Sequence, residues 1–347
     1  RVMQNKNTSI LIIYTGGTIG MKQNPETGAL SPFNFDQIEQ EVPELRKFGF
    51  DLNTFSFDPP IDSSDINPDF WVNLVKLIDE NYSKYDGFVI LHGTDTMSFT
   101  ASALSFMLEG LDKPVVLTGS QLPIGMLRTD GKENLISAVE IAAAQQNGQP
   151  MVPEVTIFFE NRLYRGNRTT KHNAEHFNAF RSDNYPFLAE AGISIKYNFP
   201  FIHYFTGKQE LRVHTNLDSS IGVIKLFPGI NPQIVKSTVS TPGTKAIILE
   251  TFGSGNSLSK QWFLDIISDA VKNNIVILNV TQCKAGSVNM DKYENGLKLK
   301  NIGVVSGYDI TFEAAIAKLM FLMGKGFYGE ILAKELTKSI SGEITLH

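Results

Sequence analysis

The sequence is short of the features that announce most functions. Among its 347 residues there is one cysteine, Cys283, so no internal disulfide can form, which fits a reducing cytoplasm. No lysine or arginine run occurs and the net charge is -5, which removes the electrostatic basis for nucleic-acid or anionic-membrane binding as the main activity. The six histidines are scattered without metal-ligand spacing, so no metal site is expected. No apolar stretch approaches the roughly 20 residues that span a bilayer. The start, residues 1–9, is polar rather than a basic region leading into a long apolar segment, and a protein neither secreted nor membrane-bound is expected. A nucleotide fingerprint is missing as well: the GGTIG run at 16–20 is neither GxGxxG nor a P-loop.

What is present is a globular chain, 42% hydrophobic and 19% charged, long enough for two packed domains. Short apolar runs that read as strands buried on both faces occur at 9–14, 87–91, 114–118 and 154–159. Helical periodicity separates them at 70–81, 99–108 and 134–145. This alternation predicts an α/β fold with a mostly parallel sheet flanked by helices. Between 196 and 218 the period is lost among polar and aromatic residues, and a linker is expected. Strand runs at 246–249 and 275–279, with helices at 260–273 and 312–323, then predict a smaller C-terminal α/β domain. The expected division is therefore 1–195, 196–218 and 219–347.

Two threonines stand in matching contexts. Thr15 follows the apolar run Ile12-Ile13-Tyr14 and precedes Gly16-Gly17, and Thr94 follows Val89-Ile90-Leu91-His92-Gly93. If both strands lie in one parallel sheet, their carboxyl ends open onto one crevice, where open α/β sheets bind ligands. Each corner has a plainer reading. Glycine turns first serve backbone geometry, and Thr94-Asp95 ahead of a helix beginning near Ser98 reads equally as a cap. The grammar nevertheless repeats at Leu117-Thr118-Gly119-Ser120-Gln121, and Asp62-Ser63-Ser64-Asp65 adds a further polar cluster. A polar pocket for a small, doubly charged ligand is the expectation. Lys171, after Leu163-Tyr164-Arg165-Gly166-Asn167-Arg168-Thr169-Thr170, reaches the same crevice if the preceding strand ends there; on an open loop it would be an ordinary solvated lysine.

Taken in order, YTGGTIG, LHGTDTM, TGSQLP with LRTDG, LYRGNRTTK, GSGN and GYDITFEAAIAKL resemble the L-asparaginase family, in its cytoplasmic, bacterial type I branch. The resemblance covers nearly the whole chain. It implies an amidohydrolase that converts L-asparagine to L-aspartate and ammonia without metal or cofactor, through an acyl-enzyme on a threonine. By motif, Thr15 would be the nucleophile, and Thr94, Asp95 and Lys171 would move protons and position water. Ser63 and Ser64 would bind the α-carboxylate, Asp95 the α-ammonium, and Ser120 would lie against the amide nitrogen. A backbone amide near Thr94 would donate to the oxyanion.

Tyr293 resembles a tyrosine that cytoplasmic members bring from the second domain, and Asn256 resembles a residue lent by a neighbouring subunit, which implies a dimer or a dimer of dimers. The segment 21–31 would be a mobile lid, here without the tyrosine of secreted members. Cys283 matches one residue of the regulatory asparagine site of some type I members, but Glu250 stands where its arginine aligns. Two other readings are an amidase subunit of a tRNA-dependent amidotransferase and a non-catalytic small-ligand-binding protein. The first usually carries a domain ahead of a threonine strand that here begins at Ser9, and would favour a basic surface over a pI near 5.8.

Overall fold

The run Ser9–Tyr14 is buried along its whole length and forms β1. A computed structural model describes residues 7–347 apart from residue 33; the polar start at 1–6 lies outside the described residues. Chain-order elements of the first sheet are β1, β2 (Asp51–Ser56), α1 (Pro68–Asn81), β3 (Gly87–Leu91), α2 (Met97–Met107), β4 (Val115–Thr118), α3 (Gly131–Ala143) and β5 (Val155–Phe159). The hairpin strand β6 (Arg162–Arg165) and the short strands β7 (Ala189–Ala191) and β8 (Ile195–Tyr197) complete it. The strand order is β8-β7-β6-β5-β4-β3-β1-β2; β2 to β5 are mutually parallel through β1, and β6 to β8 are antiparallel.

The parallel part therefore runs 2-1-3-4-5, and its order reverses between β1 and β3. The connection that leaves β1 runs to β2 and the one that leaves β3 runs to β4, toward opposite sides of this point, which opens a crevice outside the strand carboxyl ends. Register places the ends level: Tyr14 pairs with both Ser56 and Leu91, and Leu91 with Thr118. The residues that leave these strands, Thr15, His92 and Gly119, thus stand in one row.

Helices cover the sheet because their apolar residues recur at helical spacing. In α1, Phe70, Trp71, Leu74, Val75 and Ile78 are buried, Pro68 occupies the first turn, and the Asn67 side chain accepts from the Phe70 amide at 3.2 Å. In α3, Leu135, Ala138, Val139 and Ala142 pack with Ile10, Ile12, Val89 and Val116. The alanines let this helix approach closely.

The described residues up to 213 and those from 214 to 347 form two compact units. The second has its own parallel sheet, β9 (Ile221–Lys225), β10 (Ala246–Thr251), β11 (Val276–Thr281) and β12 (Val305–Ser306), in that order. Its core gathers Ile224, Ile247, Leu249, Phe263, Ile267 and Ile277. The stretch expected as a linker, 196–218, starts within β8, continues through a 3-10 turn at Phe199–Phe201, and contributes Arg212–Val213 to a small antiparallel pair with Leu108–Glu109. Lost periodicity there marks short edge elements.

The segment expected as a mobile lid, 21–31, is a two-stranded hairpin, Met21–Gln23 against Leu30–Pro32. The Asn24 side chain accepts from the amides of Glu26 and Thr27, and this Asx turn closes the hairpin.

The return from β6 rests on a buried ion pair. Arg165 Nε donates to Glu154 Oε1 at 2.7 Å, the His203 amide donates to Glu154 Oε2 at 2.8 Å, and the guanidinium lies 4.3 Å from the Tyr185 ring centroid. Replacing Glu154 with leucine leaves the Arg165 charge buried and without its carboxylate, and is expected to destabilise the fold by about 3–5 kcal/mol in denaturant titration. A loss below about 1 kcal/mol would show that Arg165 finds another partner.

Candidate active site

Two glycines bring the row of corners into contact. Gly17 has φ +92°, and a Cβ there would meet the Gly93 amide nitrogen at 2.6 Å. A Cβ on Gly93 would meet Ser63 Oγ at 2.6 Å. Only residues without side chains let the turns after β1 and β3 pack backbone to backbone and let the Ser63 side chain lie against Gly93. The Ile61 amide, donating to the Thr15 carbonyl at 2.8 Å, closes the third side.

Thr15 is buried, and its hydroxyl donates to the Leu91 carbonyl at 2.8 Å. That carbonyl also accepts from the Thr15 amide at 3.0 Å, so the side chain is held against the end of β3. Thr94 is half-buried and Asp95 exposed. Lys171 Nζ donates to Thr94 Oγ1 at 2.8 Å and to Asp95 Oδ1 at 2.7 Å. Lys171 sits on the two-residue strand Thr170–Lys171, paired with Phe180–Arg181 and mostly shielded from solvent. It is not the solvated lysine of an open loop.

Ser63 is buried and Ser64 exposed. Asp62 caps their turn by accepting from the Ser64 amide at 2.9 Å, and that bond holds its carboxyl below the usual carboxylate range. Thr96 Oγ1 donates to the Ser63 carbonyl at 2.7 Å and ties this turn to the one after β3. Ser120 is buried, with its hydroxyl donating to the Leu122 carbonyl. Asn256 and Tyr293 belong to the second unit. The Gly255 carbonyl beside Asn256 accepts from Asn279 Nδ2 at 3.1 Å, and Thr251 donates to Asn279 Oδ1 at 2.6 Å. Tyr293 precedes the helix Glu294–Ile302 and is 51% exposed. Glu250 lies on β10 and Cys283 is an exposed free thiol.

Several polar residues around the corners, some of them inside the quoted motifs, carry no assigned role in the sequence. Gln121 Oε1 accepts from Thr94 Oγ1 at 3.4 Å, and its Nε2 donates to the His176 carbonyl at 3.0 Å. Asp130 accepts from the Gln121 and Leu122 amides at 2.9 and 3.1 Å; burial pushes its carboxyl up while these amides pull it down. Asn134, buried in α3, donates to the Gly119 carbonyl at 2.9 Å and accepts from the Glu160 amide at 3.0 Å. An asparagine on the buried face of an alanine-rich helix was the available signal. His92 is fully buried, and burial lowers its pKa to about 4.

Chemically, the row presents a buried hydroxyl, a second hydroxyl bonded to an amine, and a carboxylate on that amine. A hydroxyl nucleophile needs such an activating partner, and a developing oxyanion needs fixed amide donors. Among the described residues, no group of three or more His, Cys, Asp or Glu side chains is arranged to hold a metal ion. Among them, too, no helix is long and apolar enough to cross a membrane.

Fold and site together define an α/β protein with a hydroxyl–amine set at the switch point of its sheet. Residues 9–202 match the family described as Asparaginase, N-terminal, and residues 220–334 the Glutaminase/Asparaginase C-terminal domain. L-asparaginase 1 of Escherichia coli strain K12 is 44% identical over 349 residues, covering 99% of each chain. The crystal structure of L-asparaginase I from Vibrio cholerae superposes with TM-score 0.87 at 41% identity, covering 98% of this chain and 100% of that one. The thermostable L-asparaginase from Thermococcus kodakarensis superposes with TM-score 0.88 at 32% identity, again covering 98% of this chain and 100% of that one. The chain belongs to the asparaginase family.

His92 gives the site a pH signature. Its folded pKa of about 4 lies below the ordinary value of 6.5, so its contribution to stability is present above pH 6.5 and is lost as pH falls toward 4. The difference corresponds to about 3 kcal/mol. Urea unfolding at pH 7 and pH 4 should show the wild-type protein losing about that much more than His92→Asn. Equal losses would mean that His92 is not held neutral.

Proposed function

We propose that this chain is an L-asparagine amidohydrolase that releases L-aspartate and ammonia through a threonine nucleophile. The observation that carries this reading is that the buried Thr15 hydroxyl and the Lys171-bonded Thr94 hydroxyl follow the level ends of two neighbouring strands, β1 and β3. Family membership, and the names of the relatives that match over the full chain, support the same substrate.

In this reading Thr15 Oγ1 turns from the Leu91 carbonyl and attacks the side-chain amide carbon, its C=O double bond opening onto the oxygen, while the hydroxyl proton ends on the amide nitrogen that will leave. The tetrahedral intermediate then expels the nitrogen as ammonia and leaves a β-aspartyl ester on Thr15. Water, deprotonated through the Thr94, Asp95 and Lys171 set, attacks the ester and returns the hydroxyl to Thr15. A backbone amide at Thr94 stabilises the oxyanion in both halves. Ser63 and Ser64 bind the α-carboxylate, Asp95 pairs with the α-ammonium, and Ser120 lies against the leaving nitrogen. No metal or cofactor enters this scheme.

In this reading Tyr293 is a further catalytic residue, and Asn256 completes a neighbouring copy's site in a dimer or homotetramer. The domains of this reading are 1–195 and 219–347. A single free thiol supports a cytoplasmic location.

Ammonia release by the purified protein should rise hyperbolically with L-asparagine, with L-glutamine measured in parallel and no tRNA or metal added. No release from L-asparagine would overturn the assignment. Thr15→Val should abolish turnover with an unchanged melting temperature; substantial surviving activity removes Thr15 as nucleophile. Lys171→Met should cost on the order of a hundredfold or more in kcat, and near-normal turnover would remove Lys171 from proton transfer.

A further inference from the structure

Behind the peptide that joins Gly93 to Thr94 runs a buried polar chain that the reaction as outlined does not use. Trp71, Thr100 and His92 are 4%, 0% and 1% exposed. Trp71 Nε1 donates to Thr100 Oγ1 at 3.0 Å, Thr100 Oγ1 lies 2.8 Å from His92 Nε2, and His92 Nδ1 lies 2.6 Å from the Gly93 carbonyl oxygen. A carbonyl oxygen only accepts, so the imidazole proton is on Nδ1. Nε2 is therefore an acceptor and takes the Thr100 hydroxyl proton, while the Thr100 oxygen accepts from the indole. All the bonds run one way, from Trp71 through Thr100 and His92 to the Gly93 carbonyl, and they fix one tautomer of a neutral ring.

The consequence lies on the other side of the peptide. In a trans peptide the carbonyl and the following N–H point in opposite directions. Pinning the Gly93 carbonyl toward His92 therefore aims the Thr94 N–H away from it. Among the described residues that N–H donates to no protein group, as is usual for amides ahead of a helix start, and so it is available to a ligand.

Resting on the amidohydrolase reading, we infer that the Trp71–Thr100–His92 chain is a positioning device that sets the plane of the Gly93–Thr94 peptide. It thereby aims the Thr94 N–H at the substrate amide oxygen as that oxygen gains negative charge. A donor fixed in advance needs no reorganisation when the charge develops, whereas a peptide free to rock loses part of that advantage. His92 touches no substrate in this scheme; it acts through the peptide.

The test uses the full-length protein and three variants, Thr100→Val, His92→Leu and His92→Asn, each checked for an unchanged circular dichroism spectrum. Thr100→Val is nearly isosteric and far from substrate, so it guards against a folding failure in the histidine variants. His92→Asn keeps an amide N–H where Nδ1–H stood. Three quantities are read: kcat and KM for L-asparagine, the Kd of L-aspartate, and the Kd of the aldehyde analogue in which CHO replaces the side-chain amide. The aldehyde forms a C–O bond with the Thr15 hydroxyl as its C=O double bond opens, and the hydroxyl proton goes to the new tetrahedral oxygen.

Thr100→Val and His92→Leu should lower kcat about tenfold to a hundredfold with KM within about twofold. They should weaken aldehyde binding by the same factor and leave L-aspartate binding unchanged, and His92→Asn should recover most of the loss. Wild-type kcat in both Thr100→Val and His92→Leu would overturn the inference. So would equal weakening of aldehyde and aspartate, which is the mark of a general structural role. Wild-type turnover is measured first: if it is normal and the variants are silent, only the positioning role fails, whereas no ammonia from the wild-type protein removes the amidohydrolase reading itself.

Discussion

The site depends on one close approach, the backbone contact of Gly17 with Gly93. A Cβ on Gly17 would stand 2.6 Å from the Gly93 amide, and one on Gly93 would stand 2.6 Å from Ser63 Oγ. Side chains there would force the turns after β1 and β3 apart, and hydroxyl chemistry tolerates little misplacement. The sheet supplies the reason that these turns meet at all. Its order reverses between β1 and β3, and the register sets the two strand ends level.

Around that contact the fold places its polar groups in layers. The innermost layer is held by carbonyls: Leu91 fixes Thr15, and Gly93 is fixed by His92. The next is held by side chains that pin loops, with Asp130 gathering the amides of residues 121 and 122, Asn134 bridging the ends of β4 and β5, and Thr96 fastening the Ser63 turn. The outermost is the Glu154–Arg165 pair at the base of the hairpin leading to Lys171. Such groups are costly to bury unless each finds its partner, and the partners here are mostly backbone of the loops that must not move.

The legible parts of the fold were those with a strong local signal. Strands β1, β3, β4 and β5 are buried on both faces, so their apolar runs are continuous, and the expected bounds agree with the observed ones to within two residues. Edge elements were silent. Strand β2 reads DLNTFS because no residue of it is fully buried, and the helix at Glu294–Ile302 reads ENGLKLKNI with only Gly296 and Leu299 buried. The 21–31 segment, polar and with Asn24, Pro25 and Gly28, carries the composition of an open loop, but the same Asn24 and Gly28 close a hairpin turn. In the site, Thr15, Thr94, Ser63 and Ser120 could be found because each follows a strand or opens a turn. Trp71, His92 and Thr100 could not be grouped, since only tertiary packing brings positions 71, 92 and 100 together.

The most direct test of a threonine-centred amide hydrolysis is to catch the intermediate. Rapid acid quench of the protein during turnover of L-asparagine, followed by proteolysis and mass spectrometry, should find a β-aspartyl ester on the peptide that contains Thr15. Turnover with no ester there, or with the ester on a peptide containing Thr94 instead, would contradict the assignment of Thr15 as the attacking group.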